Sequence, residues 1–152
     1  MANAPDAPRW LEDVRTQTDV VAARGSLVGL HAALSAAQGD DVLVVAWDMP
    51  FVTRDLLQLV RSRMSAPVYA AVPESSQGLE PFCAAYSSRC LALVERHVHD
   101  GVLRVGTLID ALPVVRRIGV GELAACGDPA RLFFNVNSAA DLALAERMAR
   151  EE

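Results

Sequence analysis

Asp48 is the residue best placed for chemistry. It directly follows the apolar run Val42 to Trp47, in Trp47-Asp48-Met49-Pro50. A continuous apolar run of this length reads as a parallel strand buried on both faces. In open α/β sheets, ligands bind beyond the carboxyl ends of the strands. A carboxylate at that point suits Mg2+, a hard cation usually shared between one or two carboxylates and substrate phosphates. A helix N-cap or a solvated loop carboxylate is the competing reading. The later cap candidate Thr53 weakens the first of these, because Asp48 lies too early in the chain.

Two further constellations carry possible chemistry. In Gly25-Ser26-Leu27-Val28-Gly29, glycines stand before and inside a helix start. They let a backbone approach a ligand closely, with helix N–H groups facing it. Tight packing of an Ala-rich helix explains the same residues, and neither G-x-G-x-x-G nor G-x-x-x-x-G-K-[ST] spacing is present. In Asn135-Val136-Asn137, a strand conformation places both amides on one side. They can hydrogen-bond a polar heterocycle, or form an Asx turn leading to Ser138.

Other reactive types point away from chemistry. His97 and His99 are two apart in a helical stretch and do not share a face, and His31 is isolated. All three read as solvated helix residues. Cys83, Cys90 and Cys126 show neither C-x-x-C nor metal-type spacing, and an odd count without a secretory signal fits free thiols in a reducing cytosol. Arg116 and Arg117 are adjacent on an expected strand, point to opposite faces and form no clamp. Asp40 and Asp41 read as turn residues. No Ser-His-Asp, G-x-S-x-G or zinc pattern is visible.

The elements that must position these residues alternate between helix and strand. A short helix is expected over Pro8 to Thr16, with Trp10, Leu11 and Val14 on one face. A second runs from Gly25 to Ala37, with Leu27, Leu30, Ala33 and Leu34 at helical spacing. Thr53 caps a helix to about Arg63. Pro67 to Val72 and Phe82 to Tyr86 read as strands. Ser87 or Ser88 opens a helix to Asp100, stopped by Gly101. Leu103 to Leu112 reads as helix and Val114 to Val120 as strand. Phe133 to Asn137 reads as a short strand passing into a loop. Ser138 with Asp141 resembles a capping box opening a last helix through Arg150. The alternation predicts an α/β layered fold.

Composition bounds the rest. The chain has 152 residues, 52% of them hydrophobic and 22% charged, enough to bury the core of one domain. A net charge of −5 argues against a nucleic-acid or anionic-membrane surface. All 14 basic residues are Arg, which excludes a Lys Schiff base, a Lys general base and a Walker A loop. The polar, Pro-bearing start is no secretory signal, and the longest apolar run is too short to cross a bilayer. A cytoplasmic protein is expected.

Several features together resemble the molybdenum cofactor guanylyltransferases, within the MobA-like nucleotidyltransferases. Gly25-Ser26-Leu27-Val28-Gly29-Leu30 is similar to the family's G-P-L-x-G-[IL]. Val42 to Val52 is similar to its apolar strand ending in D-x-P. Leu79 to Tyr86 resembles H-P-L-x-x-x-Y. Phe133 to Ser138 with Asp141-Leu142 resembles F-x-N-[VI]-N-[ST]-x-x-[DE]-L. Order and approximate spacing agree along essentially the whole chain. The resemblance implies one nucleotidyltransferase-like domain over residues 1–152, a Rossmann-like three-layer α/β/α fold of glycosyltransferase-A type, with a mainly parallel sheet and a mixed C-terminal part. It also implies transfer of GMP from GTP to molybdopterin with release of pyrophosphate, dependent on Mg2+, with no nucleic-acid or membrane partner. Contact with other cofactor-biosynthesis or acceptor proteins is a further implication.

By the same resemblance, Asp48 is the metal-binding and catalytic aspartate beside GTP. Asn3 and Asp19 contact the nucleotide, Gly25 and Gly29 lie on the GTP side, and Asn135 and Asn137 lie on the molybdopterin side. The chain departs from the family in having Ser26 for Pro and Glu80 for a frequent His. The family also opens with a strand and the loop L-A-G-G-x-S-x-R-M-G-x-D-K, whose backbone and Lys hold the triphosphate. No such segment precedes Asn3 here, so an N-terminal truncation of roughly 30 residues or more is expected. The alternatives are a noncatalytic remnant or binding subunit of the same fold, and a cytidylyl or other nucleotidyltransferase of the family.

Overall fold

The computed structural model describes residues 25–151. The expected helix over Pro8 to Thr16, and Asn3 and Asp19, lie outside the described residues. The elements are α1 (Ser26–Ala36), β1 (Val42–Val45), α2 (Arg54–Ser62), β2 (Ala70–Ser75), β3 (Gly78–Leu79), β4 (Cys83–Tyr86), α3 (Leu91–His99), α4 (Val105–Ala111), β5 (Val115–Ile118), α5 (Val120–Leu123), α6 (Pro129–Leu132) and α7 (Ala139–Arg150). The strand order is β1-β4-β2-β3, with β5 also pairing β2.

Hydrogen bonds at the strand ends give the directions. Ala46, just past β1, donates its N–H to the Phe82 carbonyl just before β4, so these neighbours run antiparallel. Tyr69 and Val114, each just before its strand, are joined in the same way, so β2 and β5 run parallel. β3 returns antiparallel on β2, with Glu74 opposite Leu79. This is the expected α/β fold, with a mixed parallel and antiparallel sheet flanked by helices.

The chain divides into two compact units. Of the described residues, one holds 25–42, Ala66–Ala70 and Tyr86–Val115. In it α1 packs against α3 and α4, burying Leu27, Leu30, Leu34, Val94, Val105 and Leu108. Gly101 stops α3 with φ of 74°, a left-handed conformation that only Gly adopts at little cost. Asp41 is more than a turn residue, because its Oδ1 accepts the Ser88 N–H at 3.0 Å. The reading of His31 as solvated is corrected: it is only 7% exposed, on the inner side of α1. Its Nδ1 has no hydrogen-bond partner among the described residues.

The other unit holds Leu43–Ser65, Ala71–Ala85 and the chain from Arg116 onward. Its core joins Met49, Leu56, Val60, Cys83, Ile118, Leu123, Leu132 and Phe133. The Thr53 side chain accepts the Leu56 N–H at 3.2 Å and caps α2, as expected. Thr53→Ala should therefore cost about 1 kcal/mol in a chemical-denaturation midpoint, whereas Thr53→Ser should hold most of it. Arg116 and Arg117 diverge as expected, one pairing with Glu122 and the other with Glu74. Glu122 also binds Arg63 Nε at 2.9 Å. That hydrogen bond, with the neighbouring Arg116 charge, holds the exposed carboxyl below its ordinary value.

Two strand expectations fail. β1 is not buried on both faces: Leu43 and Val45 are each 40% exposed, and Trp47 is 95% exposed. β1 ends the strand order, so among the described residues only β4 pairs with it, and its apolar run alternates in burial. Phe133 to Asn137 is a loop between α6 and α7, not a strand. The N–H groups of Phe133 and Phe134 bond to the preceding helix turn, that of Val136 to the Asp48 carbonyl and that of Asn137 to the Asp141 carboxylate. No described helix is long and apolar enough to cross a membrane.

Candidate functional site

Asp48 lies in a turn just beyond the carboxyl end of β1, half-buried. The residue after it, Met49, is 8% exposed and belongs to the core. The turn is thus pinned by Met49 in the core, while Asp48 itself stays partly exposed. Among the described residues, no hydrogen bond or ion pair engages the Asp48 carboxylate. The competing cap reading falls away, since Thr53 caps the helix that follows.

The structure brings the Asn135–Asn137 loop to this turn. Val136 donates its N–H to the Asp48 backbone carbonyl at 2.9 Å. Asn135 is half-buried, and its Nδ2 donates to the Phe133 carbonyl at 3.2 Å. Asn137 is exposed, with its N–H bonded to Asp141 Oδ2 at 3.1 Å. Ser138 Oγ accepts the Asp141 N–H at 3.2 Å and donates to the same carboxylate at 2.8 Å. This capping arrangement starts α7 and fixes where the loop ends. The Ser138 and Asn137 hydrogen bonds hold the Asp141 carboxyl below its ordinary value.

Sequence reasoning missed what else joins these segments. Phe51, three residues after Asp48, meets Phe134 with ring centroids 6.2 Å apart. The Arg131 guanidinium lies 4.5 Å from the Phe51 centroid. No local spacing signals a contact between residues this far apart in the chain. Glu80, on the segment similar to H-P-L-x-x-x-Y, accepts from Ser75 Oγ at 2.7 Å and is tied to the β2–β3 turn.

Gly25 and Gly29 stand in the other unit, at and inside the start of α1. Gly25 closely approaches the segment before α4: a Cβ there would lie 2.5 Å from Leu103 Cβ. Ser26 Oγ accepts the Val105 N–H at 3.0 Å, and Leu27 donates its N–H to the Leu103 carbonyl at 3.0 Å. Close packing of the helix start accounts for Gly25 within the protein.

A divalent cation fits the chemistry of the Asp48 carboxylate, a hard oxygen donor. Among the described residues there is no group of three or more His, Cys, Asp or Glu that could hold a metal. A cation at Asp48 would need further oxygens to complete its shell, and Mg2+ usually takes several of them from substrate phosphates and water. Thiolate chemistry is disfavoured. Burial, with a smaller contribution from Glu80, pushes the Cys83 thiol up to about 12, and burial pushes Cys90 to about 11. Both stay protonated near neutral pH and are poor nucleophiles and ligands.

A mixed sheet with an aspartate at a strand's carboxyl end, met by an asparagine-bearing loop, has the layout of a nucleotide-handling α/β protein. Residues 1–113 match the MobA-like NTP transferase domain. The chain belongs to that family. It is 36% identical over 129 residues to a molybdenum cofactor guanylyltransferase of Desulfosudis oleivorans, covering 85% of this chain and 63% of that one. It is 38% identical over 138 residues to a probable molybdenum cofactor guanylyltransferase of Pelotomaculum thermopropionicum, covering 90% and 65%. The crystal structure of molybdopterin-guanine dinucleotide biosynthesis protein A from Archaeoglobus fulgidus superposes with a TM-score of 0.77 at 28% identity, covering 88% of this chain and 67% of that one. The chain thus spans just under two thirds of the length of those two relatives.

Proposed function

We propose that this chain serves in transfer of GMP from GTP to molybdopterin, with release of pyrophosphate, in molybdenum cofactor biosynthesis. One observation carries this reading: the Asp48 carboxylate, without a partner among the described residues, stands just beyond the carboxyl end of β1 in a turn bonded to the Asn135–Asn137 loop. Membership of the MobA-like family, and the names of the relatives, favour the same reading. In the reaction, a terminal phosphate oxygen of molybdopterin attacks the α-phosphorus of GTP. The new P–O bond forms as the bond to the β-phosphate breaks, and pyrophosphate leaves.

Asp48 would hold Mg2+ at the phosphates, where the cation supplies charge neutralisation. The amides of Asn135 and Asn137 would bind the acceptor's polar ring system. Gly25 and Gly29 would border the GTP side, with Asn3 and Asp19 contributing from outside the described residues. Catalysis of this kind is mostly positioning, which suits an aspartate held in place by its backbone.

Isothermal titration of the full chain with GTP–Mg2+, and separately with molybdopterin, tests the proposal. Saturable binding of both, with pyrophosphate released when both are present, is the expected result. Failure of the chain to bind either would overturn it. Binding of molybdopterin alone would replace transfer with acceptor binding, the noncatalytic alternative.

A further inference from the structure

The Asp48 turn is held at three points, and only two belong to the proposed reaction's own segments. Met49 is buried in the core, and the Asp48 carbonyl accepts the Val136 N–H. The third point is Phe51, which meets both the Arg131 guanidinium, 4.5 Å from its centroid, and the tilted Phe134 ring at 6.2 Å. Arg131 is itself braced. Its Nη1 donates to the Met148 carbonyl on α7 at 2.9 Å, and its own carbonyl accepts the Phe134 N–H at 3.1 Å. Asp128 caps α6, its side chain accepting the Ala130 N–H, which fixes the helix carrying Arg131.

We infer that Arg131 is a positioning residue that sets the Asp48 turn through Phe51. The guanidinium is attracted to the ring face and ties that ring to the last helix. The same residue bonds the backbone leading into Asn135. The Arg131 side chain therefore ties the Asp48 turn, through Phe51, to α7, while its backbone carbonyl ties the same residue to the Asn135–Asn137 loop. The inference rests on the reading of Asp48 as metal ligand only for its consequence in metal binding, not for the clamp itself.

Hydrogen–deuterium exchange on the full chain tests the clamp directly. In Arg131→Leu, exchange of the Val136 amide should accelerate by about tenfold or more, while the β2 amides Ala71 and Val72 hold their rates. Arg131→Lys, which keeps a cation over the ring without the planar fork, should recover part of the protection. Phe51→Leu should reproduce the effect, and the double variant should add little beyond either single one. An unchanged Val136 rate, or an equal rise at β2 and Val136, would overturn the inference.

Mn2+ affinity of the GTP-mixed chain, read by electron paramagnetic resonance, supplies the second arm. It should weaken by about tenfold in Arg131→Leu and recover in part in Arg131→Lys. If Asp48→Ala leaves that affinity unchanged, the metal-ligand reading fails while the exchange result still decides the clamp.

Discussion

Asp48→Ala is expected to lower metal-dependent pyrophosphate release by about a thousandfold or more, with the fold intact. The argument has two halves. The carboxylate has no partner among the described residues, so its loss removes no hydrogen bond or ion pair to them. The contacts that hold the turn use the Asp48 backbone carbonyl with Val136, buried Met49 and Phe51, and Ala retains them all. Stability should therefore change by no more than about 0.5 kcal/mol, read as an unfolding midpoint. Asp48→Asn keeps size and loses charge. It should fall nearly as far as Ala if the role is to hold a cation, and much less if the role is to fill space. Turnover by either variant close to the parent, at matched Mg2+, would remove Asp48 from the metal role.

What was legible in the sequence was local. Thr53 and Leu56, Ser138 and Asp141, and Gly101 after α3 lie within one helical turn of the backbone they serve, so residue type and offset suffice. The Asp48 position was legible because an apolar run followed by a carboxylate needs no long-range knowledge. Burial of β1 was not, because a continuous apolar run looks the same in a central strand and at the end of the strand order. The Phe133–Asn137 loop has strand-like residues but spends its backbone bonds on α6, Asp48 and Asp141, and no period reports a missing neighbour. Helices α5 and α6 are four residues each, too short to show a repeat. The burial of His31 and the Arg131–Phe51–Phe134 clamp depend on which elements pack together, which only the fold decides.

Gly25→Ala carries the largest expected cost in stability. At Gly25 φ is 168°, extended backbone open to any residue, so conformation is not the obstacle. Space is. The added Cβ would stand 2.5 Å from Leu103 Cβ and 2.9 Å from the Leu103 carbonyl oxygen. Neither neighbour is the loose end of a flexible chain. The Leu103 carbonyl accepts from Leu27 N–H and Ser26 Oγ, and Ser26 Oγ accepts from Val105 N–H. Moving Leu103 away strains or breaks those bonds, each worth about 1 kcal/mol, and forced overpacking costs about 1–3 kcal/mol. A loss of about 3 kcal/mol in urea unfolding follows. Leu103→Ala should not rescue it, because the clashing Cβ and carbonyl remain. Gly106→Ala is the control: nothing lies within 4 Å of its Cβ position, and it sits in α4, where Ala is favoured over Gly by about 1 kcal/mol. It should leave stability unchanged or raised. An equal loss at both glycines would mean that flexibility, not close approach, is what Gly25 supplies. Nucleotide binding by Gly25→Ala must then be measured where the variant is fully folded. Binding retained there would leave Gly25 to the packing of α1 and take it out of the GTP side.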